Sequence, residues 1–175
     1  MFALERMVQV MEMTQAAMVY ADHYQQIDGV QKTAPVIDYQ PGSLRDDFNF
    51  GSVLLFNANA FKEVIENTEE EYQYAGLYDL RLKISQKSKL VHINEYLYTE
   101  VESDKRKSGE KQFDYVDPKN RQVQIEMEQA CTNHLKEIGG YLYPIFRPVD
   151  FSSHTFEYEA SVIIPVRNRI RTVKD

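Results

Sequence analysis

An α/β fold is predicted by three stretches of the chain. Residues 2–17 carry apolar side chains at helical spacing and run directly into Met18, Val19, Tyr20 and Ala21, an apolar run of strand length. Residues 52–56, Ser-Val-Leu-Leu-Phe, have the unbroken apolar character of a strand covered on both faces, and a helix-forming segment follows them. Residues 120–138 place Val123, Met127, Ala130, Cys131, His134, Leu135 and Ile138 on one helical stripe, stopped by Gly139-Gly140. Helices alternating with buried strands are the pattern of an α/β sheet.

Taken in order, the first helix shows Glu5, Arg6, Gln9 and Glu12 to solvent between Phe2, Leu4, Met7, Val8, Val10, Met11 and Met13. The strand after it stops at Asp22, and Gln25-Gln26-Ile27-Asp28-Gly29 reads as a turn. Asp22 is therefore expected at the carboxyl end of a buried strand, where ligands bind in open α/β sheets. Residues 33–39 suit a short extended segment, and Pro41-Gly42-Ser43 a turn. Residues 57–67 read as a short helix capped by Asn57 or Asn59. In residues 72–85 the apolar spacing fits a helix and fits a strand almost as well. Residues 90–93 and 96–98 are expected as two short strands joined through Asn94-Glu95. Residues 102–112 are charged, without core-forming side chains, and read as an exposed loop. Residues 141–157 resemble an interdomain connector, and residues 160–166 another buried strand. The first hundred residues read as a domain missing its beginning and the last fifteen as one missing its end.

The composition, 43% hydrophobic and 27% charged over 175 residues, is that of a globular chain. A formal net charge of -7 argues against nucleic acid and against an acidic membrane surface as partners. No run approaches the roughly 20 apolar residues that span a bilayer. No intrinsic membrane segment is expected, and attachment to the inner face of a membrane would come through partners. The single cysteine, Cys131, allows no internal disulfide, which points to a reducing, cytoplasmic location. It lies on the apolar face of its helix, where packing is its plainer use. His92 lies in an apolar strand and is expected as a hydrogen-bonded core residue. His23 reads either as a metal ligand or, more plainly, as an exposed loop residue.

Residues 160–169, ASVIIPVRNR, resemble the opening strand and loop of the family-2 glycosyltransferases, whose catalytic domain has the nucleotide-binding GT-A fold. The matching positions are Val162 to Pro165 and then Asn168. Earlier, VYADHY with Asp28-Gly29 is similar to that family's strand ending in Asp-x-Asp, with Asp22 in the first acidic position. APVIDYQPGSL resembles the segment that follows it. YDLRLKIS resembles the family's Tyr-Asp-Leu-x-Leu-Arg helix, which decides residues 72–85 as a helix, and VHINEYLYTEVES resembles the closing strands.

The resemblance implies a partial, Rossmann-like GT-A fold with a helical connector. Residues 1–100 would form the carboxyl-terminal half of one glycosyltransferase-like domain, 101–158 the connector and 159–175 the start of a second domain. It implies transfer of a sugar from a nucleotide-sugar donor to a glycan or cell-surface polysaccharide acceptor, with flanking domain halves as further partners. Such transfer needs positive charge against the leaving diphosphate and a base for the acceptor hydroxyl. Asp22 would hold a divalent cation, Mg²⁺ or Mn²⁺, or the donor ribose. Pro165, Val166 and Asn168 would approach the donor base and ribose. Asp79 is the candidate catalytic base, with a structural helix-surface contact as the plainer reading. Arg45, Asp46 and Asp47 suit acceptor hydroxyls, or Arg45 a diphosphate; a solvated turn with a local ion pair is the plainer reading.

The chain departs from the family pattern at three chemically informative positions. Tyr24 stands at the second acid of Asp-x-Asp, Leu77 at the usual catalytic acid, and Thr99 where a histidine often follows the closing Leu-Tyr. The alternative expectation is a non-catalytic, degenerate GT-A module that binds glycan or positions a neighbouring catalytic domain. Alone, the chain is not expected to transfer sugar.

Overall fold

The computed structural model describes residues 2–101 and 120–148 and residue 152. The chain separates into two compact units, the first ending at Tyr141. In the second unit, residues 142–148 have no regular secondary structure, and Leu142, Tyr143, Ile145 and Phe146 are exposed.

The first unit is mixed α/β. Helix α1, Ala3–Thr14, buries Met7 and ends where Gln15 turns left-handed (φ 55°) and returns its N–H to the Met11 carbonyl. Strand β1, Met18–Ile27, follows and becomes the centre of the sheet. Asp28 (φ 50°) and Gly29 (φ 80°) then make a two-residue turn between the paired Ile27 and Val30, which opens β2, Val30–Ala34. Left-handed backbone at both turn residues is the geometry whose twist matches the flanking strands, and Asp-Gly is a favoured pair for it.

Strand β3, Leu55–Phe56, is followed by α2, Ala58–Glu66, and by α3, Gly76–Lys87. The Asn57 side chain starts α2 by accepting hydrogen bonds from the N–H groups of Asn59 and Ala60 at 3.0 and 3.2 Å. Strand β4, Leu90–Val101, runs parallel to β1 along most of its length. Antiparallel partners β3, beside Met18 and Val19, and β2, beside residues 23–27, occupy the other edge of β1. The result is a four-stranded open sheet of mixed direction. The last helix among the described residues, α4, is Arg121–Glu137.

Both faces of β1 are covered, so its apolar residues are continuous but sort by parity. Val19 and Ala21 pack with Met7, Ala16 and Ile93. Met18 and Tyr20 pack on the opposite face with Val36, Tyr39, Phe50 and Leu54. Beneath the sheet's start, Ala17 meets Val64 of α2 and Leu80 and Ile84 of α3. Tyr78 and Leu82 of α3 meet Ala130 of α4.

Several expected boundaries move. The turn expected over residues 25–29 contracts to Asp28-Gly29, and β1 continues through Gln25, Gln26 and Ile27 because the hairpin supplies their ladder partners. Asp22 thus lies within β1. The two strands expected at 90–93 and 96–98 are one strand. Ala21 pairs with Ile93 and Asp22 with Tyr96, so Asn94 and Glu95 form a bulge and no turn. The strand expected at 52–56 keeps only Leu55 and Phe56, both half-buried at an edge. The helix expected from the Tyr-Asp-Leu motif starts at Gly76, inside the expected 72–85. The loop expected at 102–112 and the strand expected at 160–166 lie outside the described residues.

Candidate functional site

The even-numbered side chains of β1 build the polar centre of the molecule. The Tyr20 hydroxyl donates to the Ile37 carbonyl at 2.8 Å and accepts the Tyr39 N–H at 2.6 Å. One oxygen of Asp22, Oδ1, accepts the Val36 N–H at 2.8 Å and lies 2.9 Å from Nε2 of His92. The other ring nitrogen of His92 lies 2.8 Å from Oδ1 of Asp38. The His92 ring stacks on Tyr20 with 5.1 Å between centroids. Burial pushes the Tyr20 phenol up to about 12, so it serves as a neutral hydrogen-bonding group. His92 is hydrogen-bonded within the fold, as its strand position suggests.

Beside this centre the segment 44–56 and α3 enclose a cleft of about 240 Å³. Phe48, Phe50, Phe56, Tyr74, Leu77 and Asp46 are among its walls, and Met127 reaches it from α4. Its shape depends on Arg81, which is 3% exposed. The guanidinium donates to the carbonyls of Ser43 and Arg45 at 2.7 and 2.6 Å. It lies 4.9 Å from the Tyr78 ring centroid, and 5.7 and 5.8 Å from those of Tyr39 and Phe50. A buried cation is retained here because carbonyl oxygens and aromatic faces replace its water. Phe48 and Phe50, 4.4 Å apart, continue the aromatic wall.

A second device fixes the start of α3, whose first turn has no capping side chain of its own. Glu126, buried on α4, accepts the N–H groups of Tyr74 and Ala75 at 2.7 and 3.2 Å. These amides hold its carboxyl below the usual carboxylate range. A carboxylate at that end also suits the helix dipole.

The expected site residues separate. Asp46 lines the cleft. Arg45 turns away to make a two-pronged ion pair with Asp47, both contacts 2.9 Å and both side chains exposed. Asp79 is buried on α3 in a separate hollow with Thr68, Glu70 and Tyr72, and its carboxylate lies 2.8 Å from Lys83. Burial pushes the Asp79 carboxyl up against the opposing pull of Lys83. Two residues along a helix are about 200° of rotation, so Asp79 leaves the side on which Leu77 meets the cleft. Pro165, Val166 and Asn168 lie outside the described residues.

The three departures from the family pattern are also placed. Tyr24 stacks on Tyr96 with centroids 5.0 Å apart, and Thr99 is its register partner across β1 and β4. Leu77 is 57% exposed at the cleft. His23, expected as an exposed loop residue, is buried: β1 continues past it, and its ring stacks on Tyr98 at 5.2 Å. Among the described residues its Nδ1 has no hydrogen-bond partner. Cys131 is half-buried against Tyr78, a packing position.

A divalent cation at Asp22 does not fit these surroundings. The carboxylate is 1% exposed, its Oδ1 already has two nitrogens within 2.9 Å, and the side chain two residues on is a stacked phenol. Among the described residues, no group of three or more His, Cys, Asp or Glu side chains is placed to hold a metal ion. Also among them, no helix is long and apolar enough to cross a membrane.

Nothing in the local sequence pattern marks Arg81, Glu126 and Asp38 as site residues. Arg81 reads as a routine surface cation between Leu80 and Leu82, and Glu126 as a charged helix residue. The only signal was their position next to apolar stripes. Comparison with protein-family models and with curated proteins finds no match for this chain.

Proposed function

We propose that the chain forms the acceptor-side portion of a family-2-like glycosyltransferase with a GT-A fold, one that transfers a sugar from a nucleotide-sugar donor to a glycan or cell-surface polysaccharide. One observation carries this reading. The helix that carries YDLRLKIS lines one aromatic cleft through Leu77, Tyr78 and Arg81, and Tyr39, from the APVIDYQPGSL stretch, packs on the Phe48 and Phe50 rings of its wall. The volume, about 240 Å³, is below the roughly 300–1,000 Å³ of sites that enclose a drug-sized ligand, so it suits a single sugar ring.

Phe48, Phe50 and Tyr74 offer flat apolar faces to the C–H face of such a ring, and the Asp46 carboxylate accepts from its hydroxyls. Arg81, itself at the cleft, holds the wall in place. Asp79, tied to Lys83 outside the cleft, takes no part in this binding. The donor nucleotide would be held by residues of the protein outside this cleft. Cytoplasmic location belongs to the same proposal.

The test is a transfer assay on the protein that carries this chain with its flanking sequence, supplied with uridine- and guanosine-diphosphate sugars and oligosaccharide acceptors. Asp46→Asn and Phe50→Ala are expected to raise the acceptor KM about tenfold, near 1.4 kcal/mol, while leaving the donor KM unchanged. Absence of transfer from every nucleotide sugar would set the catalytic reading aside.

A second reading, a degenerate module that binds glycan without transferring it, is favoured by Leu77 itself, an isobutyl group at the cleft where the resemblance expects a carboxylate. Leu77→Asp separates the two. In a degenerate site it creates or raises transfer, whereas in an intact but atypical site it lowers the existing activity.

A further inference from the structure

The segment 35–39 crosses the face of β1 without belonging to the sheet. Three of its backbone groups are nevertheless satisfied, all by side chains of β1: Asp22 takes the Val36 N–H, and Tyr20 takes the Tyr39 N–H and gives its own proton to the Ile37 carbonyl. His92 joins the segment to the sheet a second time, with one ring nitrogen at Asp22 and the other at Asp38. Its side chain is 6% exposed, whereas Asp38 is 89% exposed and closes the chain of contacts from the solvent side.

We propose that Asp22, His92 and Asp38 form a hydrogen-bonded clamp that holds residues 35–39 against the middle of β1, and that Asp22 serves this clamp and no metal ion. The clamp has a downstream purpose. Tyr39, at the end of the clamped segment, flanks the Arg81 guanidinium and packs on Phe48 and Phe50, so its position sets the aromatic wall of the cleft. Asp22 is therefore a positioning residue for the cleft.

The geometry excludes the cation on three grounds. A hard divalent ion such as Mg²⁺ or Mn²⁺ is held by oxygens with room for several waters, and Asp22 is enclosed. Each ring nitrogen of His92 already has a carboxylate oxygen within 2.9 Å, so neither faces open space from which an ion could approach. Tyr24, at the second acidic position, is stacked on Tyr96.

The experiment uses the 175-residue chain, labelled for nuclear magnetic resonance, with Mn²⁺ as a paramagnetic probe and amide hydrogen exchange as the second readout. In wild type, Mn²⁺ is expected to leave the Val36 amide and the His92 ring signals sharp. In Asp22→Asn, exchange at Val36 and Tyr39 is expected to rise about tenfold while amides of Ala21 and Ile93, deep in the sheet, keep their rates. Broadening of Val36 and His92 by Mn²⁺ in wild type overturns the proposal, and needs no variant to be read. Unchanged exchange over residues 36–39 in Asp22→Asn overturns it as well. Neither readout involves a nucleotide sugar, so the clamp stands or falls separately from the glycosyltransferase reading.

Discussion

At the scale of single residues, two glycines with similar backbone angles make opposite demands on their surroundings. Gly29 (φ 80°) has open space where a Cβ would go, and Gly51 (φ 75°) does not: a Cβ there would lie 2.1 Å from the Tyr98 hydroxyl. That hydroxyl accepts the Ser52 N–H at 2.9 Å. Gly29→Ala is expected to cost about 1 kcal/mol, the strain of left-handed backbone alone. Gly51→Ala adds the displacement of Tyr98 and the loss of its hydrogen bond, about 3 kcal/mol together. Urea denaturation of the two variants checks the difference; equal costs would mean that the contact with Tyr98 is not formed.

Arg81 supplies the complementary case. Replacing it by Met keeps the bulk but removes two charge-assisted bonds to the Ser43 and Arg45 carbonyls, with an expected loss of about 3 kcal/mol, and Lys should recover only part of it because one ammonium cannot reproduce the planar fork. The residue scale is also where the sequence is least informative. Asn57 was legible as a cap because capping is local. The burial of His23, the Asp22–His92–Asp38 contacts and the role of Arg81 were not, because each partner comes from a distant part of the chain.

Among elements, the pair α3 and α4 is held by polar contacts as much as by Tyr78, Leu82 and Ala130. Glu126 accepts the amides of Tyr74 and Ala75 just ahead of α3, and Gln86 at the other end lies 2.9 Å from Nδ1 of His134. Burial pushes the His134 imidazole down, so folding favours its neutral form. The unfolded chain then takes up the proton first as pH falls below about 6.5, and stability falls with it. Glu126 acts in the same direction. Its carboxyl is depressed in the fold, so its contribution is complete above the ordinary carboxylate range and is lost as pH falls through the folded value. Denaturation midpoints measured from pH 8 to pH 3 should therefore drop in two stages. His134→Gln should flatten the upper stage and Glu126→Gln the lower one.

The elements themselves were more legible than their ends. The α1 periodicity, the cap of α2, which falls on Asn57 of the two candidates Asn57 and Asn59, and the Gly139-Gly140 stop all depend on neighbours within one turn. The extent of β1 and the continuity of β4 depend on ladder partners, so polar Gln25 and Gln26 extend a strand and Asn94-Glu95 bulges instead of turning. For the helix carrying YDLRLKIS, spacing alone was ambiguous because both of its faces are buried: Tyr78, Asp79, Leu80, Arg81, Leu82 and Ile84 are all enclosed. α1 offers the simplest core test. Met7 is fully buried against Val19, Ala21 and Ile93, and Met7→Ala should cost about 2–5 kcal/mol in the same denaturation assay.

In the molecule as a whole, a mixed sheet with β1 at its centre gives two functional surfaces from one strand by parity. One face packs α1. The other, through Tyr20 and Asp22, positions the segment that walls the cleft. The sequence pointed to this strand and to Asp46, but placed Asp22 at an open strand end, because β1 was expected to stop there. Once the hairpin carries β1 onward, Asp22 is enclosed, and the cleft beside α3 is the site we propose for a ligand. The claim that this cleft receives a sugar in a nucleotide-sugar-dependent protein is tested most directly by calorimetric titration. The titrant is an oligosaccharide acceptor and then a uridine- or guanosine-diphosphate sugar, added to the protein carrying this chain with its flanking sequence. Saturable binding of both is predicted, with acceptor binding weakened about tenfold in Phe50→Ala and donor binding preserved. Acceptor heats identical in wild type and Phe50→Ala, or no heat from either ligand, would contradict it.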